Sequence, residues 1–166
     1  VKELDATVST ASKGEYKHFM LKEIYEQPEA IQQTISQALN GNSLRDDFLN
    51  YADADFGKIQ QVQIIACGTS YHAGMIAKYW FEQLIGVPCQ VEIASEFRYR
   101  TPVIVANTLY ICISQSGETA DTLAALRETQ KRAKAQNLDI TTMTICNVAT
   151  SSMVRETDHH LLTLAG

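Results

Sequence analysis

The chain has 166 residues, 45% of them hydrophobic and 20% charged, with 14 basic against 19 acidic side chains and a net charge of −5. That is the size of one domain with ordinary globular usage, which excludes collagenous and wholly disordered classes. The acidic balance argues against a nucleic-acid binder and against a polybasic membrane anchor.

No apolar run approaches the ~18–20 residues that cross a bilayer. The start, Val1-Lys2-Glu3-Leu4-Asp5, is too polar for a signal peptide. The expected location is therefore cytoplasmic, with neither nucleic acid nor membrane as partner. Cys67, Cys89, Cys112 and Cys146 form no CxxC pair and lie in or beside apolar runs, so they read as buried free thiols. With no initiator Met and a stop straight after Leu161-Leu162-Thr163-Leu164, the sequence reads as a piece of something longer.

Residues 1–14 are polar without apolar period and read as a linker. Leading helices are expected over 15–56. Phe19, Met20, Glu23 and Ile24 fit one helical period, and Pro28 is expected to break the run. A second helix over 29–39 carries Ala30, Ile31, Ile35 and Leu39 and stops at Asn40-Gly41. Ser43 and Asp46 have capping-box spacing for a short third helix with Leu44, Phe48 and Leu49.

Over 57–166 strands alternate with helices. Val62–Ala66 is a short apolar strand. Ala73, Ile76, Ala77, Trp80, Phe81 and Leu84 recur at helical spacing, with Trp80 and Phe81 expected in the core, until Gly86-Val87-Pro88. Cys89–Ile93 alternates apolar with polar, as an edge strand does. Thr108–Ile113 is an apolar central strand. A helix over 119–136, a strand over 140–145, a helical turn near 151–155 and a strand over 160–164 complete the pattern. Strands joined by helix-length crossovers form a parallel sheet. The fold class is therefore α/β: a three-layer α-β-α sandwich on a five-stranded sheet of flavodoxin-like order 2-1-3-4-5.

In such sheets ligands bind beyond the strands' carboxyl ends where the winding reverses, here between strands one and three. Strand one runs into Cys67-Gly68-Thr69-Ser70, and strand three into Ser114-Gln115-Ser116-Gly117-Glu118-Thr119. Together they bring five hydroxyls, two glycines and the Gln115 amide to helix N-termini, where backbone N–H groups and the dipole favour an anion. With no Lys or Arg in either loop, this is a neutral-donor cradle for phosphate. Thr69 and Ser116 have the alternative of being plain N-caps. Glu118 reads as a dipole-complementing residue or as an acid/base, and His72 as a solvent-facing helix residue. A dinucleotide fingerprint lacks its second glycine, since Gly68 is followed by Thr69-Ser70-Tyr71, and a P-loop lacks its Gly-Lys pair. Adjacent His159 and His160 would face opposite sides of a strand, a poor metal pair. No metal and no cofactor is expected.

These two loops resemble the sugar isomerase (SIS) domain pattern. Glu23-Ile24-Tyr25-Glu26-Gln27-Pro28, Ala94-Ser95-Glu96-Phe97-Arg98-Tyr99-Arg100 and Ala120-Asp121-Thr122-Leu123 narrow the likeness. Together they resemble the first SIS domain of the glutamine–fructose-6-phosphate aminotransferase (isomerizing) family. The resemblance implies sugar-phosphate contacts at Gly68, Thr69, Ser70, Ser114, Gln115, Ser116 and Thr119. It implies fructose 6-phosphate and glucosamine 6-phosphate as ligands, and a second SIS domain, a glutaminase domain and a homodimer as partners. It also implies that the family's isomerase Lys, Glu and His lie beyond Gly166, so that no catalytic residue is expected here. A non-catalytic sugar-phosphate sensor and a dimerisation module remain alternatives.

Overall fold

The computed structural model describes residues 13–45 and 56–165. They fall in two compact units, 13–45 with 164–165, and 56–163.

The first unit is one helix and a hairpin. Helix α1 spans Phe19–Ala38 and runs through Pro28, where the sequence predicts a break. Proline removes one backbone hydrogen bond and crowds the preceding turn. Side-chain ties on each side, Lys22 to Glu26 at 3.4 Å and Gln33 to Glu29 at 3.0 Å, support the flanking turns. After Ala38 the chain turns at Gly41, with φ of +63°, and pairs β1 (Leu39–Asn40) with β2 (Ser43–Leu44). Ser43 and Leu44 thus extend rather than start a third helix. The rest of that expected helix lies outside the described residues, as does nearly all of the 1–14 segment.

The second unit is the predicted α/β sandwich. Strands β3 (Gln61–Ala66), β4 (Cys89–Ile93), β5 (Thr108–Ile113), β6 (Ile140–Cys146) and β7 (His159–Leu162) form one parallel sheet in the order β4-β3-β5-β6-β7. Counted along this sheet, that is 2-1-3-4-5. Edge strand β4 leaves Gln90 exposed, whereas five of the six residues of β5 are buried, as an edge and an interior strand should differ. Helices α3 (Ala94–Tyr99), α4 (Ala120–Ala135) and α5 (Ser152–Glu156) cover one face. They bury Phe97, Leu126 and Met153 with Ile65, Tyr110 and Cys112. Helix α2 (Gly68–Trp80) and the π-helical turn Phe81–Ile85 cover the other, over Val62, Ile64, Leu109 and Ile111. The alternation of Ile64 and Ile65, or Ile111 and Cys112, between the two cores follows from the strand's period of two.

Two expectations change here. Trp80 is not core: it is 60% exposed, with Ile76 and Leu84 exposed along the same side. The inward face of α2 is Gly74, Ala77 and Phe81 instead. An ideal Cβ on Gly74 would lie 2.9 Å from Ile64 Cγ2 and 3.1 Å from Val91 Cγ1, so the helix sits too close to the sheet for a large residue there. Of the wide apolar stripe, Ala77 and Phe81 therefore turn inward, while Ile76, Trp80 and Leu84 stay out. Helix α3 has no counterpart among the expected elements. It is six residues long and buries only Ala94 and Phe97, too little for a helical period to show.

All four cysteines are free, with Cys89, Cys112 and Cys146 buried and Cys67 half-buried. Among the described residues no helix is long and apolar enough to cross a membrane.

Candidate functional site

Strands β3 and β5 are neighbours, and their last residues, Ala66 and Ile113, are register partners. The segments that follow, Cys67–Ser70 and Ser114–Thr119, therefore leave the sheet side by side at its carboxyl end. The crossover to β4 goes one way and that to β6 the other, so this is the winding reversal that the sequence predicts.

The first loop is short. Cys67 caps α2 in extended conformation without a side-chain cap bond, and Gly68 follows at φ +57°. A Cβ on Gly68 would meet nothing within 4 Å, so the left-handed backbone, not space, calls for glycine. It also leaves the backbone open to close approach. Thr69 is exposed and Ser70 half-buried, and neither hydroxyl has a hydrogen-bond partner among the described residues. The first-turn N–H groups of α2 have no intrahelical acceptor, by the geometry of any helix start. Thr69 is not the N-cap, because that place belongs to Cys67. His72 lies exposed with its ring edge against Tyr71.

The second loop is built from within. Ser114 is buried, and its Oγ accepts the Gly117 N–H at 3.1 Å and stands 2.8 Å from Thr119 Oγ1. The Ser116 Oγ accepts the Glu118 N–H at 3.2 Å, a local turn rather than an N-cap. Thr119 holds the cap position of α4, but its hydroxyl is committed to Ser114 and makes no cap bond. Gln115 is exposed, and its carbonyl accepts the Asn147 N–H at 2.9 Å. The hydroxyls of Ser114 and Thr119 carry two protons and share one hydrogen bond, so one proton remains to donate. The Ser116 hydroxyl uses its oxygen and keeps its proton. With Thr69 and Ser70, the two loops offer about four O–H donors and no cation of their own.

One carboxylate within this loop, Glu118, and one just after it, Asp121, are each engaged elsewhere. Glu118 Oε1 accepts the Ser152 N–H at 2.6 Å, which holds the carboxyl below its usual range, with Arg155 and Arg127 adding to the effect. Asp121 pairs with Arg98 at 2.6 Å, and that hydrogen bond raises the guanidinium further above its already high value. An anion between the loops would thus meet donors rather than unpaired negative charge. The tie from Glu118 to α5 is invisible in the sequence, because Ser152 lies 34 residues away and carries no motif. Among the described residues no group of His, Cys, Asp and Glu could hold a metal ion.

The SIS domain pattern matches residues 56–166. The chain belongs to the SIS domain family. Over its full 166 residues this SIS chain is 89% identical to glutamine–fructose-6-phosphate aminotransferase (isomerizing) of Acinetobacter baylyi, covering 27% of that protein. It is 56% identical over 157 residues to the protein of the same name from Pseudomonas aeruginosa, covering 94% of this chain and 25% of the relative. The chain thus spans about a quarter of the length of these curated relatives. Among solved structures it matches the C-terminal domain of glucosamine-fructose-6-phosphate aminotransferase from Francisella tularensis. That match has a TM-score of 0.83 and 51% identity, and covers 93% of this chain and 42% of that one.

Proposed function

We propose that the Cys67–Ser70 and Ser114–Thr119 loops form a cradle for the phosphate of fructose 6-phosphate and glucosamine 6-phosphate. Gly68, Thr69, Ser70, Ser114, Gln115, Ser116 and Thr119 are its contact residues. The chain serves as the first SIS domain of an enzyme that converts fructose 6-phosphate and glutamine to glucosamine 6-phosphate and glutamate. Its partners are a second SIS domain, a glutaminase domain and a second copy of the enzyme, in the cytoplasm.

The observation that carries this reading is the placement of two hydroxyl-bearing loops on adjacent strand ends, with Glu118 and Asp121 both engaged by other partners. Phosphate oxygens accept from backbone N–H groups and hydroxyls alike. A handle bound far from the reacting carbonyl supplies orientation, which lowers the barrier for acid/base groups provided elsewhere. Names shared with relatives at 89% and 56% identity support the same substrate.

The test is a titration of the chain followed by backbone amide shifts. Fructose 6-phosphate and glucosamine 6-phosphate should move Thr69, Ser70 and Ser114–Thr119, and fructose should not. Inorganic phosphate reports whether the phosphate alone suffices. Silence at millimolar sugar phosphate overturns the reading of these loops as a cradle that works in this chain.

A further inference from the structure

The second loop is not held by its own residues alone. Four contacts fasten it to the β6–α5 segment behind it. Asn147 N–H donates to Gln115 O at 2.9 Å, and Met153 N–H donates to Gly117 O at 3.2 Å. Gly117 sits against Ser151 so closely that a Cβ there would lie 2.5 Å from Ser151 Cβ. The fourth contact is the shortest of the three hydrogen bonds: the Ser152 N–H donates to Glu118 Oε1 at 2.6 Å.

Resting on the reading of Ser114–Thr119 as the phosphate loop, we propose that Glu118 is a positioning residue whose carboxylate, anchored on the Ser152 N–H, holds Ser116 and Gly117 in phosphate-binding shape. Its two ends act on the same problem. The Glu118 backbone N–H donates to Ser116 Oγ, which leaves the Ser116 proton as the group's free function toward a ligand. The side chain meanwhile turns the loop's own negative charge onto α5, beside Arg155 and Arg127. Released from Ser152, that charge would be free to face the phosphate and repel it. An exposed carboxylate that does no more than complement the α4 dipole would have no reason to reach α5. One that serves as a proton shuttle would be poorly suited by so good an anchor, which keeps it ionised.

The geometry offers a test that separates the anchor from the side chain. Ser152 is the first residue of α5, with Ser151 as its cap at φ −66° and ψ 161°. Proline is well accepted at such a first position and after such a residue, and it lacks the N–H. Fructose 6-phosphate affinity is measured on the folded chain for the wild type, Glu118→Ala, Glu118→Gln, Ser152→Pro, Ser152→Ala and the double variant Glu118→Ala/Ser152→Pro. Loss of one hydrogen bond to a charged group corresponds to roughly a tenfold weakening. Glu118→Ala and Ser152→Pro should each show it, and the double variant should be no weaker than either. Glu118→Gln, which keeps an acceptor, should stay within about threefold of wild type, and Ser152→Ala, which keeps the N–H but loses the hydroxyl that also bears on Glu118, should weaken binding less than Ser152→Pro. A purely structural role would lower the melting temperature and leave the affinity of the folded protein unchanged. Wild-type affinity in Glu118→Ala overturns the proposal, and this arm decides alone if Ser152→Pro does not fold. If the wild-type chain itself binds no sugar phosphate, the cradle reading fails and this inference falls with it. If the wild type binds and Ser116→Ala weakens it while Glu118→Ala does not, only the inference fails.

Discussion

The hydroxyls of Ser114 and Thr119 stand 2.8 Å apart, five residues from each other and on either side of the loop that they close. They are not equivalent. Ser114 is buried and also accepts the N–H of buried Gly117, whereas Thr119 is half-buried and holds only Ser114. Ser114→Ala should strand a buried donor at a cost of about 1–3 kcal/mol, and Thr119→Val should lose a shared hydrogen bond worth about 0.5–1.5 kcal/mol. Denaturant unfolding of the two variants should rank them in that order. Both should weaken fructose 6-phosphate binding, since either deletes one hydroxyl of the cradle and leaves the other without the partner that orients it. Equal stability of the two would show that Gly117 finds another acceptor.

Glycine contacts give a second pair of outcomes. Gly117→Ala demands a left-handed backbone from alanine at φ +65° and drives a Cβ into Ser151. Strain and overpacking together should cost about 3 kcal/mol. Gly74→Ala is a closer contest. Helix propensity gains about 1 kcal/mol, but the new methyl would lie 2.9 Å from the Cγ2 of buried, β-branched Ile64. Overpacking at about 1–3 kcal/mol should prevail, giving net destabilisation. Melting temperatures of the two variants check both, and a stabilised Gly74→Ala would mean that α2 can lift off the sheet.

The sheet was legible because its signals are local and redundant. Cys89–Ile93 alternates and proves to be an edge, while Thr108–Ile113 is apolar throughout and proves to be interior. Right-handed crossovers with these edge and interior patterns fit the flavodoxin-like order, and the order places the loops. What periodicity cannot supply is the depth at which a helix sits. Ile76, Trp80 and Leu84 share a helical stripe with Ala77 and Phe81, and only the close approach at Gly74 decides which side faces inward. Pro28 misled for the opposite reason: a local penalty of ~3 kcal/mol was outweighed by the turns around it. Within the site, residue types announced the hydroxyls but not their bookkeeping. Ser114 could not be known as loop-building, nor Glu118 as tied to Ser152, because both depend on contacts across the fold.

Thiol chemistry should follow burial. Cys112 is sealed in the core and burial pushes its thiol up to about 12; Cys89, also buried and near Glu82, is pushed up to about 11. Thiolate is the reactive form, so both should be inert at neutral pH. Cys146 is buried as well, leaving half-buried Cys67 beside Gly68. A chromogenic disulfide reagent should titrate about one thiol per chain in the native state, as thiolate chemistry and access require. In denaturant it should titrate all 4. Fructose 6-phosphate should slow the native reaction if it occupies the first loop. Rapid modification of Cys112 or Cys89 would contradict the packing of the sheet.

Acid should loosen α5 from its neighbours. Glu118 is held below its ordinary range by the Ser152 N–H, and Glu156 by a two-pronged hydrogen bond from Arg127 at 2.7 and 2.6 Å. Both carboxyls bind protons less readily in the folded chain than in the unfolded one. Their stabilisation is therefore complete above the ordinary carboxylate range and fades as pH falls through their lowered folded values. Glu118 is exposed, and half-buried Glu156 pairs with an exposed Arg127, so salt should reduce the Glu156–Arg127 part more than the direct bond to Ser152. Melting temperature followed from about pH 6 to about pH 3 should fall less steeply in Glu118→Gln/Glu156→Gln than in the wild type, since the variant carries neither titrating group. The two curves should converge at the acid end, where the wild-type carboxyls are protonated too. Parallel curves across the whole range would mean that neither carboxylate contributes to holding α5 against the loop.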